Sequence, residues 1–225
     1  MIKSDEMSTN VPKKIVKRGY AGRSAEQLTQ ERRQRLMDTA LELFGTVGYV
    51  PTTVEKICSH AKVTTRHFYE HFKDREALLM AIFDRILQET RQLVLVEIIT
   101  SDLPLEQRFV RAVNVFLSAH LDDPRRAKIT TQEILGVSQR VEAHRNLLIT
   151  EFALLIEGYL AMLVGEGKIP ARNYRILAFG IVGAMHELQI AWLNQQVPQQ
   201  REVLVAEIDF LMQAMIKGAS IGCKN

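Results

Sequence analysis

Two short apolar segments, each opened by a threonine and separated by a brief polar turn, constrain this chain more than any other feature. Val54, Ile57, Cys58 and Ala61 share one helical face, and Phe68 and Phe72 share another, spacings that follow the helical rather than the strand period. The first helix takes its cap from Thr52, in the capping-box pattern Thr52-x-x-Glu55, or from Thr53. After the turn Ala61-Lys62-Val63-Thr64, Thr64 caps the second, Thr65 to His71. Lys73-Asp74 breaks it, and Asp74 caps a longer helix.

Longer helices flank this pair. The upstream one starts near Thr29, with Leu36, Ala40, Leu43, Phe44 and Val47 on one face and Gly45 and Gly48 marking its end. The downstream one runs from Asp74 to about Ile99, with Leu78, Ile82, Ile86 and Leu93 along one side. Two short helices between two long ones form a helix-turn-helix on a three-helix head. Beyond it, a helix from Pro104 carries Phe109, Val113, Phe116 and Leu117, and another runs from Asp122-Asp123-Pro124 to about Val137. Val141 to Val164, Asn173 to Gln195 and Pro198 to Lys217 complete the pattern, with Gly165-x-Gly167 and Pro170 as a stop. No segment alternates with period two, so an all-α fold of about nine helices is expected.

A helix fits the DNA major groove, where base edges present distinct donors and acceptors. A reading helix needs a polar front near its N-terminus and an apolar back. Thr65, Arg66 and His67 supply the front, beside the Thr64 cap; Phe68 and Phe72 supply the back. Tyr69, His71, Lys73 and Arg75 can donate to phosphates, and amides at the helix start near Asp74-Arg75 add to them. His67 and His71, one turn apart, lack a third ligand nearby, so no metal is expected.

The net charge is +3, and the basic excess falls in the first 80 residues, where it would attract a polyanion. Residues 1–28 carry Lys3, Lys13, Lys14, Lys17, Arg18 and Arg23 without apolar periodicity. They read as a basic arm that either touches DNA or stays inert. Cys58 and Cys223 make no disulfide framework and read as reduced thiols, Cys58 in the core. Without a secretory signal or a long uncharged apolar run, a cytoplasmic protein without a membrane span is expected. The best candidate for a span, Phe152 to Val164, is short and contains Glu157.

Thr29 to Leu79 resembles the DNA-binding head of the TetR family. The matching positions are Ala40-Leu41-Glu42-Leu43-Phe44, Gly48-Tyr49, Thr52-Thr53-Val54-Glu55-Lys56-Ile57, Ala61-x-Val63-Thr64, Phe68-Tyr69-x-His71-Phe72 and Lys73-Asp74-Arg75-Glu76-Ala77-Leu78-Leu79. The resemblance implies that Thr65 and Arg66 read bases, that Tyr69 and His71 touch phosphates, and that Thr53 lies beside the backbone. Arg75 replaces the family's usual lysine, and Lys62 its usual turn glycine. It further implies residues 29–75 as the DNA-binding domain and 76–225 as a domain that binds a small effector and dimerises.

Candidate effector-lining residues are Phe109, Phe116, Phe152, Ile156, Tyr159, Met185, His186, Gln189 and Trp192, with His186-Glu187 as the best polar handle. Candidate dimer residues are Phe179, Gly183 and Ala184 on one helix and Leu204, Ile208, Leu211, Met212 and Met215 on the next. A twofold dimer would present two heads to a palindromic operator. The expected partners are therefore double-stranded operator DNA, a second copy and a small effector. The effector would alter head spacing through the helix that starts at Asp74, giving most simply a repressor. The alternative is a DNA-bound adaptor whose bundle recruits a protein. No glycine-rich phosphate loop, nucleophile elbow or metal-spaced cluster is present, so neither catalysis nor a cofactor is expected.

Overall fold

The computed structural model describes residues 24–221, which form nine α-helices and no strand. The basic residues of the arm up to Arg23, and Cys223, lie outside the described residues. The fold is all-α.

The head consists of α1 (Ala25–Thr46), α2 (Val54–Ala61), α3 (Thr65–His71) and the start of α4 (Arg75–Thr100). Helix α1 begins before Thr29 because Ser24 closes a capping box: its hydroxyl accepts from Gln27 N at 3.1 Å, and Gln27 Oε1 accepts from Ser24 N at 2.7 Å. Thr53, not Thr52, caps α2, accepting from Lys56 N at 3.2 Å. Thr52 is buried and donates to Gly48 O at 2.7 Å. Thr64 caps α3 and Asp74 caps α4. Val47 lies past the end of α1 and is exposed, so it does not extend the apolar face.

Lys62 ends α2 at φ 52° and ψ 45°, the left-handed conformation that glycine adopts without penalty. The turn closes with the lysine in place and accepts the strain. Lys62→Gly is expected to raise stability by about 1 kcal/mol, read as a higher urea midpoint at unchanged slope.

The remaining helices are α5 (Leu105–Leu121), α6 (Pro124–Lys128), α7 (Gln139–Gly165), α8 (Arg175–Leu193) and α9 (Arg201–Ile221). The helix expected to reach Val137 instead becomes a π turn, Ile129–Glu133, after α6. Ile129 and Ile134 are both fully buried among the head's apolar residues. Five residues apart, they would diverge on an α-helix; the wider turn turns both inward.

Two apolar clusters result. One joins α1–α3 and the first half of α4 to Ile129, Ile134 and Val141; the other joins α5, α7, α8 and α9 to the second half of α4. Helix α4 belongs to both. Its buried row runs Leu78, Ile82, Ile86, Thr90, Val94 and Ile98. Leu93, expected on that row, is exposed because the row advances through Thr90 and Val94.

By length and composition α7 and α8 reach the threshold for a membrane span, with mean hydropathy 1.9 and 1.5 over their most apolar windows. The requirement of a charge-free run overlooked this. Their apolar residues line a cavity on one side and, on α8, an exposed row on another.

Candidate nucleic-acid interface and ligand cavity

Helix α3 is short and has little stability of its own, so its orientation comes from its back. Phe68 is fully buried and Phe72 nearly so, with ring centroids 5.8 Å apart. That anchoring leaves Thr64, Thr65, Arg66 and Tyr69 exposed on the opposite side. The Arg66 side chain is 89% exposed and lies 3.5 Å from Glu70, a pair weak enough to exchange for a ligand. Tyr69 is 59% exposed, although its ring edge packs on Phe68. His67 turns its Nδ1 to the Thr64 hydroxyl, 3.0 Å away. Thr53 and Lys73 are exposed at the flanks.

Two expected phosphate contacts are placed differently. The Arg75 guanidinium lies 4.1 Å over the Tyr49 ring and donates to the carbonyls of Tyr49, Val50 and Thr52 at 3.1, 3.3 and 2.5 Å. It ties the α1–α2 loop to α4 instead of projecting outward, because three carbonyls of that loop converge on the guanidinium. His71 points Nε2 inward, where it is buried without a partner. Burial, and then the charge of Arg33, push its pKa below the usual imidazole range.

The head is gripped from the bundle at two places. Arg140, at the start of α7, places Nη2 2.7 Å from the capping carboxylate of Asp74 and 2.8 Å from Glu76. Its hydrogen bond holds the Asp74 carboxyl below the ordinary carboxylate range. Glu133, in the π turn, accepts from Tyr49 N at 2.7 Å, and Arg125 reaches Glu42 of α1. The sequence reading missed these contacts, since they join residues about 60–85 apart in the chain without a local pattern.

In the bundle, α4, α5, α7 and α8 border a cavity of about 110 Å³. Phe109, Phe116, Phe152, Ile156, Tyr159, Met185, His186 and Gln189 line it, and Trp192 does not. Trp192 lies one turn too far along α8, with Nε1 buried but unpaired. Arg145, Thr130 and Phe83 also line the cavity; an arginine amid the charges of α7's first turns gave no sequence signal. Thr130 links cavity to head directly, because it shares the π turn with Glu133. Among the described residues no group of three or more His, Cys, Asp or Glu could hold a metal.

A profile of the family described as "Bacterial regulatory proteins, tetR family" matches residues 36–82, which span the helix-turn-helix. This segment is a DNA-binding head of the TetR type. The uncharacterized HTH-type transcriptional regulator YerO of Bacillus subtilis is 23% identical over 198 residues, 84% of this chain and 67% of that relative. A protein assigned to the TetR family from Syntrophomonas wolfei has the same fold, at TM-score 0.76 and 16% identity over 87% of this chain and 99% of that one. FadR from Bacillus subtilis, solved in complex with stearoyl-CoA, aligns at TM-score 0.71 and 20% identity over 82% of this chain and 98% of that one.

The expected dimer residues divide between two environments. Phe179, Gly183 and Leu211 are exposed, and Ala184 and Met215 are half-buried. Leu204, Ile208 and Met212 are buried in the protomer's own core. Their stripe is the inward face of α9, which packs on α5. The outward apolar residues are Val203 and Phe210 on α9 and Ile176 on α8, the last 90% exposed. Val203 and Phe210, seven apart, were legible as a second row beside the stronger stripe.

Proposed function

We propose that this transcription regulator binds a palindromic operator as a homodimer, and that a small, largely apolar effector filling the bundle releases it. In this reading residues 29–75 read DNA, and residues 76–225 bind effector and dimerise. Thr65 and Arg66 contact base edges, with His67 beside them. Tyr69, Lys73 and Thr53 contact the backbone near the Thr64 cap, while Arg75 and His71 act from inside the head. The exposed row on α8 and α9, around Phe179, Gly183, Leu211 and Phe210, meets its own copy.

The observation that carries the reading is an apolar cavity in the bundle whose walls are also the head's supports. Helix α4 passes from the cavity into the head's core, and the π turn touches both. An occupant that shifts either one reorients α3 through Arg140–Asp74 and Glu133–Tyr49. For release, the effector must bind the DNA-incompetent spacing more tightly than the competent one. The stearoyl-CoA complex of FadR supports an acyl-type occupant for a bundle of this fold. A concave apolar cavity between helices also favours a small molecule over a recruited protein.

The test is selection of a duplex from a random library by the full chain, followed by titration of variants. Arg66→Ala is expected to lose about 1–3 kcal/mol on the selected duplex and little on random DNA. Tyr69→Phe is expected to weaken both to the same extent. Failure of the wild-type chain to enrich any duplex at low salt overturns the reading.

A further inference from the structure

The cavity is apolar on most sides, yet polar groups stand together on its α7–α8 wall. Arg145 Nη2 lies 3.3 Å from His186 Nε2. Arg145 Nε is buried without a hydrogen-bond partner. Among the described residues Arg145 pairs with no carboxylate, whereas Arg91, Arg140 and Arg175 each do. One turn beyond His186, Gln189 is only 3% exposed. Its Nε2 is committed to Met185 O at 3.0 Å, so Oε1 is the free atom, and it too lacks a partner.

Arg145 is half-buried, with Nε out of contact with solvent; a cation so placed without a counter-charge is costly, and the neighbouring imidazole cannot supply one. Burial, and then Arg145 itself, hold His186 below its usual range and so in the neutral form. Neutral His186 accepts one guanidinium N–H and leaves the charge uncompensated. An occupant that brings an anion removes the deficit; an apolar occupant without one would seal the charge in.

We infer that the effector is a carboxylate with an apolar body, its carboxylate on Arg145 and its body among Phe109, Phe116, Phe152 and Tyr159. The carboxylate accepts from Nε and Nη2, the two-donor geometry that guanidinium offers and ammonium does not. A water carried with the carboxylate donates to Gln189 Oε1. This inference rests on the effector cavity proposed above.

Calorimetric titration of the full chain with octanoate and with 1-octanol tests it, because the two share a chain length and differ in the head. Octanoate is expected to bind roughly tenfold more tightly or better, the ratio that a charged hydrogen-bond pair provides. Arg145→Gln is expected to erase that ratio by weakening octanoate while leaving 1-octanol unchanged, and Arg145→Lys to keep part of it. Equal binding of the two probes by the wild-type chain overturns the inference and leaves the apolar cavity standing. A preference that survives in Arg145→Gln also overturns it. Binding of neither probe overturns both the inference and the cavity reading, and the wild-type comparison holds even if a variant fails to fold.

Discussion

Phe68→Ala is expected to abolish binding to selected and random DNA alike while the bundle stays folded. Phe68 is fully buried and packs on Phe72 and on the edge of Tyr69. A helix of seven residues has no stability apart from such packing. Removing the ring costs about 3–5 kcal/mol, comparable with the whole margin of about 5–15 kcal/mol that holds a domain folded. The loss falls on the head's cluster, and the bundle's own cluster does not contain Phe68. Amide exchange is the measurement: protection should vanish from α2 and α3 and persist in α7 and α8. DNA binding that survives this substitution would mean the reading helix is held by something other than its aromatic back.

Gly45→Ala carries the second large effect, although it adds only a methyl group. A Cβ on Gly45 would sit 2.4 Å from Arg125 Cβ and 2.8 Å from Arg125 Cα. The second of these is backbone and cannot rotate away, so α1 and α6 must separate. Overpacking of this kind costs about 1–3 kcal/mol, or about 2–12 °C in Tm for a chain of this size. Separation also strains Arg125–Glu42 and the bond from Glu133 to Tyr49 N. The head should therefore keep its affinity for DNA while an effector loses leverage over it. Anisotropy titrations with and without an effector would show the two DNA affinities converging. A variant with unchanged Tm and unchanged effector response would show that α1 and α6 tolerate a wider spacing.

The helix-turn-helix was legible because its signals are local. Thr64 and Asp74 cap the helices that follow them, and Phe68 and Phe72 repeat at helical spacing on α3's back. Eight of the nine residues expected to line a bundle cavity do line it, since apolar faces of core helices converge wherever a bundle leaves space. What was not legible depends on partners far along the chain. Arg75 has the charge and position of a phosphate contact, and only the placement of the Tyr49–Thr52 loop turns it inward. Gly45 reads as a helix-weakening residue, and only Arg125, 80 positions later, makes it a close-approach site.

The sequence alone determined where α3 and α4 begin, and that a polar front precedes an aromatic back on α3. These follow from caps and periodicity within a few residues. Tertiary structure decided which of two apolar rows on α9 faces inward, where the chain widens into a π turn, and that Arg145 enters the cavity without a counter-charge. Each is settled by competition among faces for one buried volume, and no single segment carries the outcome of that competition.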